Sequence, residues 1–176
     1  VLLAAISGGH KLIETLLWPY VAVIKSTPVA SFTILCLIWL DSSSLSVFIS
    51  FLMVLPVVYT NILQGIKSTD KELLEMAAVF KMKLFKKLKY IYLPQVKPYL
   101  LSACTLSLGL CWKAGIAAEV IGMPDGSIGE RLYEAKIYLS SQDLFAWTVV
   151  IIVISILFEK LFLWGLKKAY LHLERG

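Results

Sequence analysis

Charge is what this sequence has least of. Only 16% of its 176 residues are Asp, Glu, Lys or Arg, while 59% are hydrophobic. Soluble domains carry about 25% charged and about 45–50% apolar residues, so a water-soluble globular domain is excluded and a membrane protein is left. Histidine is nearly absent. His10 and His172 stand alone, with no carboxylate or thiol at ligand spacing, which removes a histidine-built metal centre. The three cysteines, Cys36, Cys104 and Cys111, lie inside apolar stretches and read as small buried hydrophobes. Catalytic motifs are missing as well. No Gly-x-Ser-x-Gly elbow surrounds the serines at 42–44, and no Gly-rich phosphate loop is present, so any nucleotide must be bound by another chain. No signal peptide opens the sequence. It starts at Val1 in mid-apolar sequence, and a preceding span is expected, which makes the chain a fragment lacking the N-terminal span.

What is present is long apolar runs separated by short polar ones. Residues 1–8 read as the tail of a span that Gly8-Gly9 ends, and full or partial spans are expected over 28–41, 45–66, 99–122 and 144–166. Between the first two, His10 to Thr27 alternates charged and apolar residues, as an interfacial or bundle-facing helix does, with Trp18 and Tyr20 suited to the headgroup zone. The run from Val29 to Leu40 falls short of the roughly 20 residues a crossing needs, so a short or tilted span extended by its flanks is expected. Pro56 should kink the 45–66 span, and Asn61 and Gln64 could hold it by interhelical hydrogen bonds.

The polar exception is Asp70 to Pro98, which holds seven of the 17 basic residues. Its apolar residues (Leu73, Leu74, Ala77, Phe80, Leu84, Leu88, Ile91) recur at helical spacing, which predicts one or two amphipathic helices. Pro94 and Pro98 are expected to close them, because proline cannot continue a helix past its first turn. Two readings stand for such a loop: a lysine-rich segment that only sets topology, or a surface made to touch a partner. Segment 67–97 carries eight Lys against Asp70, Glu72 and Glu75, whereas 123–143 carries Arg131 and Lys136 against four acids. The positive-inside rule then makes the first cytoplasmic and the second external. The tail with Lys167, Lys168 and Arg175 is cytoplasmic on the same count. The net charge of +5 does not point to nucleic acid, since no aromatic or Gly-rich reader surrounds the lysines; membrane lipid is the natural counterpart.

Glu75-Met76-Ala77, with Ile91, Leu93 and Pro94 downstream, resembles the EAA loop of binding-protein-dependent ABC importer permeases. That pattern is Glu-Ala-Ala, a Gly four residues after the second Ala, then an aliphatic residue and Leu-Pro. Met76 replaces the first Ala and Lys81 stands where the Gly is expected. Met keeps an apolar helix former. Lys is a larger change, since Gly takes a positive φ freely and Lys only with strain. Either the bend is built differently here, or the helix is straighter. The ordered set Thr27-Pro28-Val29-Ala30, Leu37-Ile38-Trp39, Leu55-Pro56, Asn61 through Gly65, Asp70 through Glu75, Leu110 through Gly115, Ala118-Glu119, Gly129 and Tyr138-Leu139 is similar to one branch of these permeases. That branch is the nitrate, sulfonate, taurine and bicarbonate type, which also includes transporters of thiamine precursors.

The resemblance implies an all-α integral membrane protein, a MetI-like type I importer bundle in a bacterial cell membrane. It implies a second permease copy, most simply an identical one. It further implies an ATP-binding cassette subunit on the cytoplasmic side and an extracellular or periplasmic solute-binding protein. The chain itself would be no enzyme and hold no cofactor, ATP being bound by the partner. Carried onto this sequence, the coupling segment is Glu75, Met76, Ala77, Ala78 and Lys81, with Leu93 and Pro94 at its end. An Ala face allows a partner to approach closely, and lysines can pair with an acidic rim.

Ionisable groups within the spans are the other candidates, because a charge there costs about 2.5–3.5 kcal/mol on insertion scales and normally faces a cavity or a partner. Lys113 either lines a route for an anionic solute or pairs with a carboxylate on another helix. Glu119 is either an interfacial carboxylate or a pathway and gate residue, and Asn61 is a further pathway candidate. Six residues apart, Lys113 and Glu119 are not expected to pair directly. The solute expected from the branch is a small anion or a small polar organic molecule. The alternative is a secondary transporter driven by an ion gradient, with Lys113 and Glu119 as coupling groups.

Overall fold

The computed structural model describes residues 1–175, with side chains to Tyr170; His172 and Arg175 lie outside the described side chains. Every regular element among the described residues is helical, as the all-α expectation has it. In chain order they are α1 (Leu2–Gly9), α2 (Lys11–Ser26), α3 (Val29–Cys36), α4 (Ser42–Lys67), α5 (Lys71–Val79), α6 (Leu84–Lys87), a π turn (Leu88–Tyr92), α7 (Leu93–Gly122), α8 (Ile128–Ile137) and α9 (Ser141–Arg175). Three helical runs, Ser42–Lys67, Leu84–Gly122 and Ser141–Tyr170, are long and apolar enough to cross a bilayer, or four if α2 and α3 are taken as one broken span.

Two expectations need correction. The stretch 28–41 is not one extended helix: α3 has eight residues, about 12 Å at the α-helical rise, and turns follow from Leu37. Pro28 stops it on the other side, so the flanks do not lengthen it. Nor do Pro94 and Pro98 close the basic segment, since both lie inside the helical run from Leu84 to Gly122. The π turn explains the place of Pro94. Leu93 N–H donates to the Leu88 carbonyl five residues back. A proline ring in a regular α-helix strikes the carbonyl four residues back, and the wider π turn gives it room.

The chain divides into two units. The first is Val1–Val23 with Leu55–Leu106. Its core gathers Ala4 of α1, Val21 of α2, and Tyr59, Ile62 and Leu63 of α4, with Val96 and Leu100 of α7 against them. The Tyr59 hydroxyl donates to Ser7 Oγ at 3.1 Å inside this core, a bond worth about 0.6 kcal/mol between membrane helices. Gly65 lets α4 meet α7 closely, since a Cβ there would sit 2.9 Å from Tyr99 Cγ. Below Pro56, the Thr60 hydroxyl donates to Pro56 O at 2.8 Å and Asn61 Nδ2 donates to Val57 O at 2.9 Å. Asn61 therefore bonds within α4, not between helices, because a short polar side chain reaches the carbonyl four residues back before it reaches a neighbour.

The second unit is Ile24–Val54 with Ser107–Gly176. Cys36, Leu45, Ile49, Ala114 and Ala118 form its centre, flanked by Phe32, Leu40 and Met53. Ala114 and Ala118 share one face of α7, four residues apart, and small residues there let helices approach. Ser50 Oγ donates to the Cys111 carbonyl at 3.0 Å across the same contact. Trp112 meets Phe158 edge-on, ring centres 6.1 Å apart, which ties α9 to α7. The other side of α9 leaves Phe145, Val149, Ile152, Val153, Leu157 and Leu161 exposed. In water such a face would not persist; in lipid it is the ordinary outer surface.

Candidate functional site

The basic segment is a helical hairpin in the first unit. Asp70 starts α5: its Oδ1 accepts Glu72 N–H at 2.9 Å, and its own N–H donates to Gln95 Oε1 at 2.8 Å, fixing α5 to α7. Glu72 in the first turn suits the helix dipole. At the other end the chain reverses at Lys81, whose φ is +47°. Met82 N–H donates to the Ala77 carbonyl at 2.9 Å and Lys81 N–H to the Ala78 carbonyl at 3.0 Å. This is the Schellman pattern, normally built on Gly. The bend expected of the glycine position is therefore present, and Lys81 makes it at a strain of about 1–2 kcal/mol. Its cation at the C-terminal end of α5 offsets part of that through the dipole.

Burial sorts the predicted coupling residues. Glu75, Met76, Ala78 and Lys81 are exposed, whereas Ala77 is only 2% exposed and turns into its own unit. At Ala77 the small face expected to meet a partner is packed against its own unit. In its place stand Val79 and Phe80, 79% and 73% exposed, and across the turn Leu84 and Phe85. Leu93 is half-buried and Pro94 exposed, both in the helix that leaves the hairpin. Lysines 81, 83 and 86 are exposed around this apolar tip.

Two of the grooves in the second unit carry the predicted charged residues. One, of about 470 Å³, is lined by Ser50, Phe51, Cys111, Gly115, Glu119 and Phe158. The other, of about 560 Å³, is lined by Gly109, Lys113, Ala117, Ile152, Ser155 and Glu159. Lys113 and Glu119 thus open on different grooves. Lys113 shares its groove with Glu159, a carboxylate on another helix, although no ion pair joins them among the described residues. Glu119 is tied down: its Oε2 accepts the Gly129 N–H at 3.1 Å. Behind it, Ser127 Oγ accepts Glu130 N–H at 3.0 Å and Glu130 Oε2 accepts Gly126 N–H at 2.7 Å, a reciprocal cap that starts α8. Gly129 is required here, because a Cβ would fall 2.3 Å from Glu119 Cβ and 2.5 Å from its carbonyl carbon. Asn61 lies in the first unit, half-buried, with its amide bound to Val57.

Among the described residues no cluster of three or more His, Cys, Asp or Glu could hold a metal. Helices long and apolar enough to cross a bilayer, Glu119 on one groove, Lys113 with Glu159 on another, and an exposed basic hairpin mark a membrane component. Residues 1–166 match the binding-protein-dependent transport system inner membrane component family, and the chain belongs to it. It stands with the sulfonate, nitrate and bicarbonate permeases of that family. It is 27% identical over 157 residues to the putative aliphatic sulfonates transport permease SsuC of Bacillus subtilis, covering 88% of this chain and 56% of that one. To the nitrate import permease NrtB of Synechococcus elongatus it is 26% identical over 136 residues, 77% of this chain and 48% of the relative. The bicarbonate transport system permease CmpB of the same species is 24% identical over 119 residues, 68% and 43% of the two chains. The chain spans about half the length of these curated relatives.

Proposed function

We propose that the chain is the transmembrane subunit of an ATP-driven importer of a small anion or polar organic solute, of the sulfonate, nitrate, taurine or thiamine-precursor class. The observation that carries this reading is the hairpin tip. Val79, Phe80, Leu84 and Phe85 are too apolar for a free cytoplasmic loop, and the lysines beside them too charged for lipid. Such a tip belongs in a groove on another protein. In the proposed assembly two permease copies sit on two ATP-binding subunits, residues 67–98 and the C-terminus face the cytoplasm, and 123–143 faces an external solute-binding protein. Closure of the ATPase pair on ATP moves the hairpin and opens the permease outward; hydrolysis resets it. The groove walls carrying Lys113 and Glu119 are the candidate pathway, and the lysine favours an anionic solute.

Co-purification of the full-length permease with its co-expressed ATP-binding subunit tests the class. A stoichiometric complex that hydrolyses ATP, lost in Phe80→Asp while membrane insertion persists, is the expected result. A permease that emerges alone and moves solute on an ion gradient overturns it.

A further inference from the structure

Lys81 carries a positive φ at the very place where glycine would carry it without strain, and its side chain forms no hydrogen bond or ion pair among the described residues. Backbone strain that a simple substitution would remove is typically kept where it serves a function. Beyond its place at the C-terminal end of the α5 dipole, the structure gives this ammonium no side-chain partner among the described residues. Neither does the sequence: from Met76 to Ala118 there is no Asp or Glu, although six lysines lie between Lys81 and Lys97. The acids that precede it on the hairpin, Asp70, Glu72 and Glu75, form no ion pair with it among the described residues, so its charge is left for a carboxylate of another chain to answer. The turn also aims it, because the Schellman bonds from Met82 to Ala77 and from Lys81 to Ala78 hold the residue at the hairpin tip beside exposed Val79 and Phe80.

We propose that Lys81 is a specificity-determining contact: its ammonium pairs with a carboxylate at the rim of the ATP-binding subunit's docking groove, so that this permease accepts only ATPases acidic at that point. The inference rests on the importer reading and adds to it. Val79 and Phe80 supply the apolar centre of the contact, and Lys81 supplies the selection. A rim charge of this kind acts chiefly on association rate and salt dependence, and is screened as ionic strength rises.

The test compares full-length wild type with Lys81→Gly, Lys81→Asn and Lys81→Arg, each titrated with the co-expressed ATP-binding subunit at low and high salt, alongside a thermal melt of the free permease. Lys81→Gly is expected to melt higher than wild type, yet to bind the ATPase about tenfold more weakly at low salt and with a flatter salt dependence. Lys81→Asn, which tolerates the same φ without charge, should follow Lys81→Gly in binding, and Lys81→Arg should bind as wild type does. A residue that merely caps α5 would shift the melt and leave binding untouched. Equal affinity and equal salt slope for Lys81→Gly and wild type therefore overturn the proposal while the importer reading stands. A wild type that binds no ATPase at all overturns both.

Discussion

Lys81 and Leu139 solve the same local problem at the ends of two helices. Each sits two residues past its helix, just after the C-cap, with positive φ, +47° and +53°. Each is held by a six-to-one bond, Met82 N–H to Ala77 O and Ser140 N–H to Ala135 O, both 2.9 Å. Only one of them carries a charge. Leu139→Gly should therefore raise the stability of the permease by about 1 kcal/mol, read as a higher melting temperature in detergent, with ATPase binding unchanged. It is the control for Lys81, where the same relief is expected to cost binding. Ala77→Asp belongs at this scale too. A carboxylate forced into a site 2% exposed and lacking a partner costs several kcal/mol, so the variant should fail to fold, seen as loss of the monodisperse species in size exclusion. The sequence marked Lys81 as a departure because a glycine was expected there. Which outcome followed was not legible, since the φ is set by bonds back to Ala77 and Ala78 that no residue type announces.

Elements were easier to foresee than their joints. The long apolar runs read directly as α4, α7 and α9, and the helical spacing of Leu73, Leu74 and Ala77 as α5. The error lay with proline. A proline is a stop signal in a regular helix, but Leu88–Tyr92 widens by one residue and lets the helix pass through Pro94; Pro98 follows inside the same run. Deleting Tyr90 should turn the π turn into α and rotate α6 by about 100° relative to α7, while driving the Pro94 ring into a carbonyl. The expected result is a permease that still inserts but no longer stimulates its ATPase, measured as solute-dependent hydrolysis in proteoliposomes. Gly129 makes the corresponding case at the start of α8. Its place was visible only as part of an ordered set of residues; the close approach that demands it is not. Gly129→Ala must push α8 away from Glu119, at about 1–3 kcal/mol, and should lower the melting temperature and break the Glu119 hydrogen bond together.

At the scale of the whole molecule, composition did most of the work. A chain with so little charge has to place what it has, and it gathers lysine in one hairpin and leaves Glu119 on one groove and Lys113 with Glu159 on another. The membrane class and the importer family were legible from that distribution and from the order of short motifs. The self-burial of Ala77 was not, because an alanine stripe looks the same whether it meets a partner or its own unit. The grouping of Lys113 with Glu159, and of Glu119 with Gly129, was equally hidden, since each pairing joins residues on different helices.

The hairpin tip also makes the protein a reporter of its own orientation. Lys81, Lys83 and Lys86 lie exposed on a turn between two short helices, the kind of place where a protease nicks first. Trypsin applied to sealed everted vesicles should cut the chain at this turn, and the same enzyme outside right-side-out vesicles should leave the turn uncut, reaching only Arg131 and Lys136 of the external segment. A bound ATP-binding subunit should shield the cleavage point, so that one gel reads both the sidedness of the loop and its occupancy.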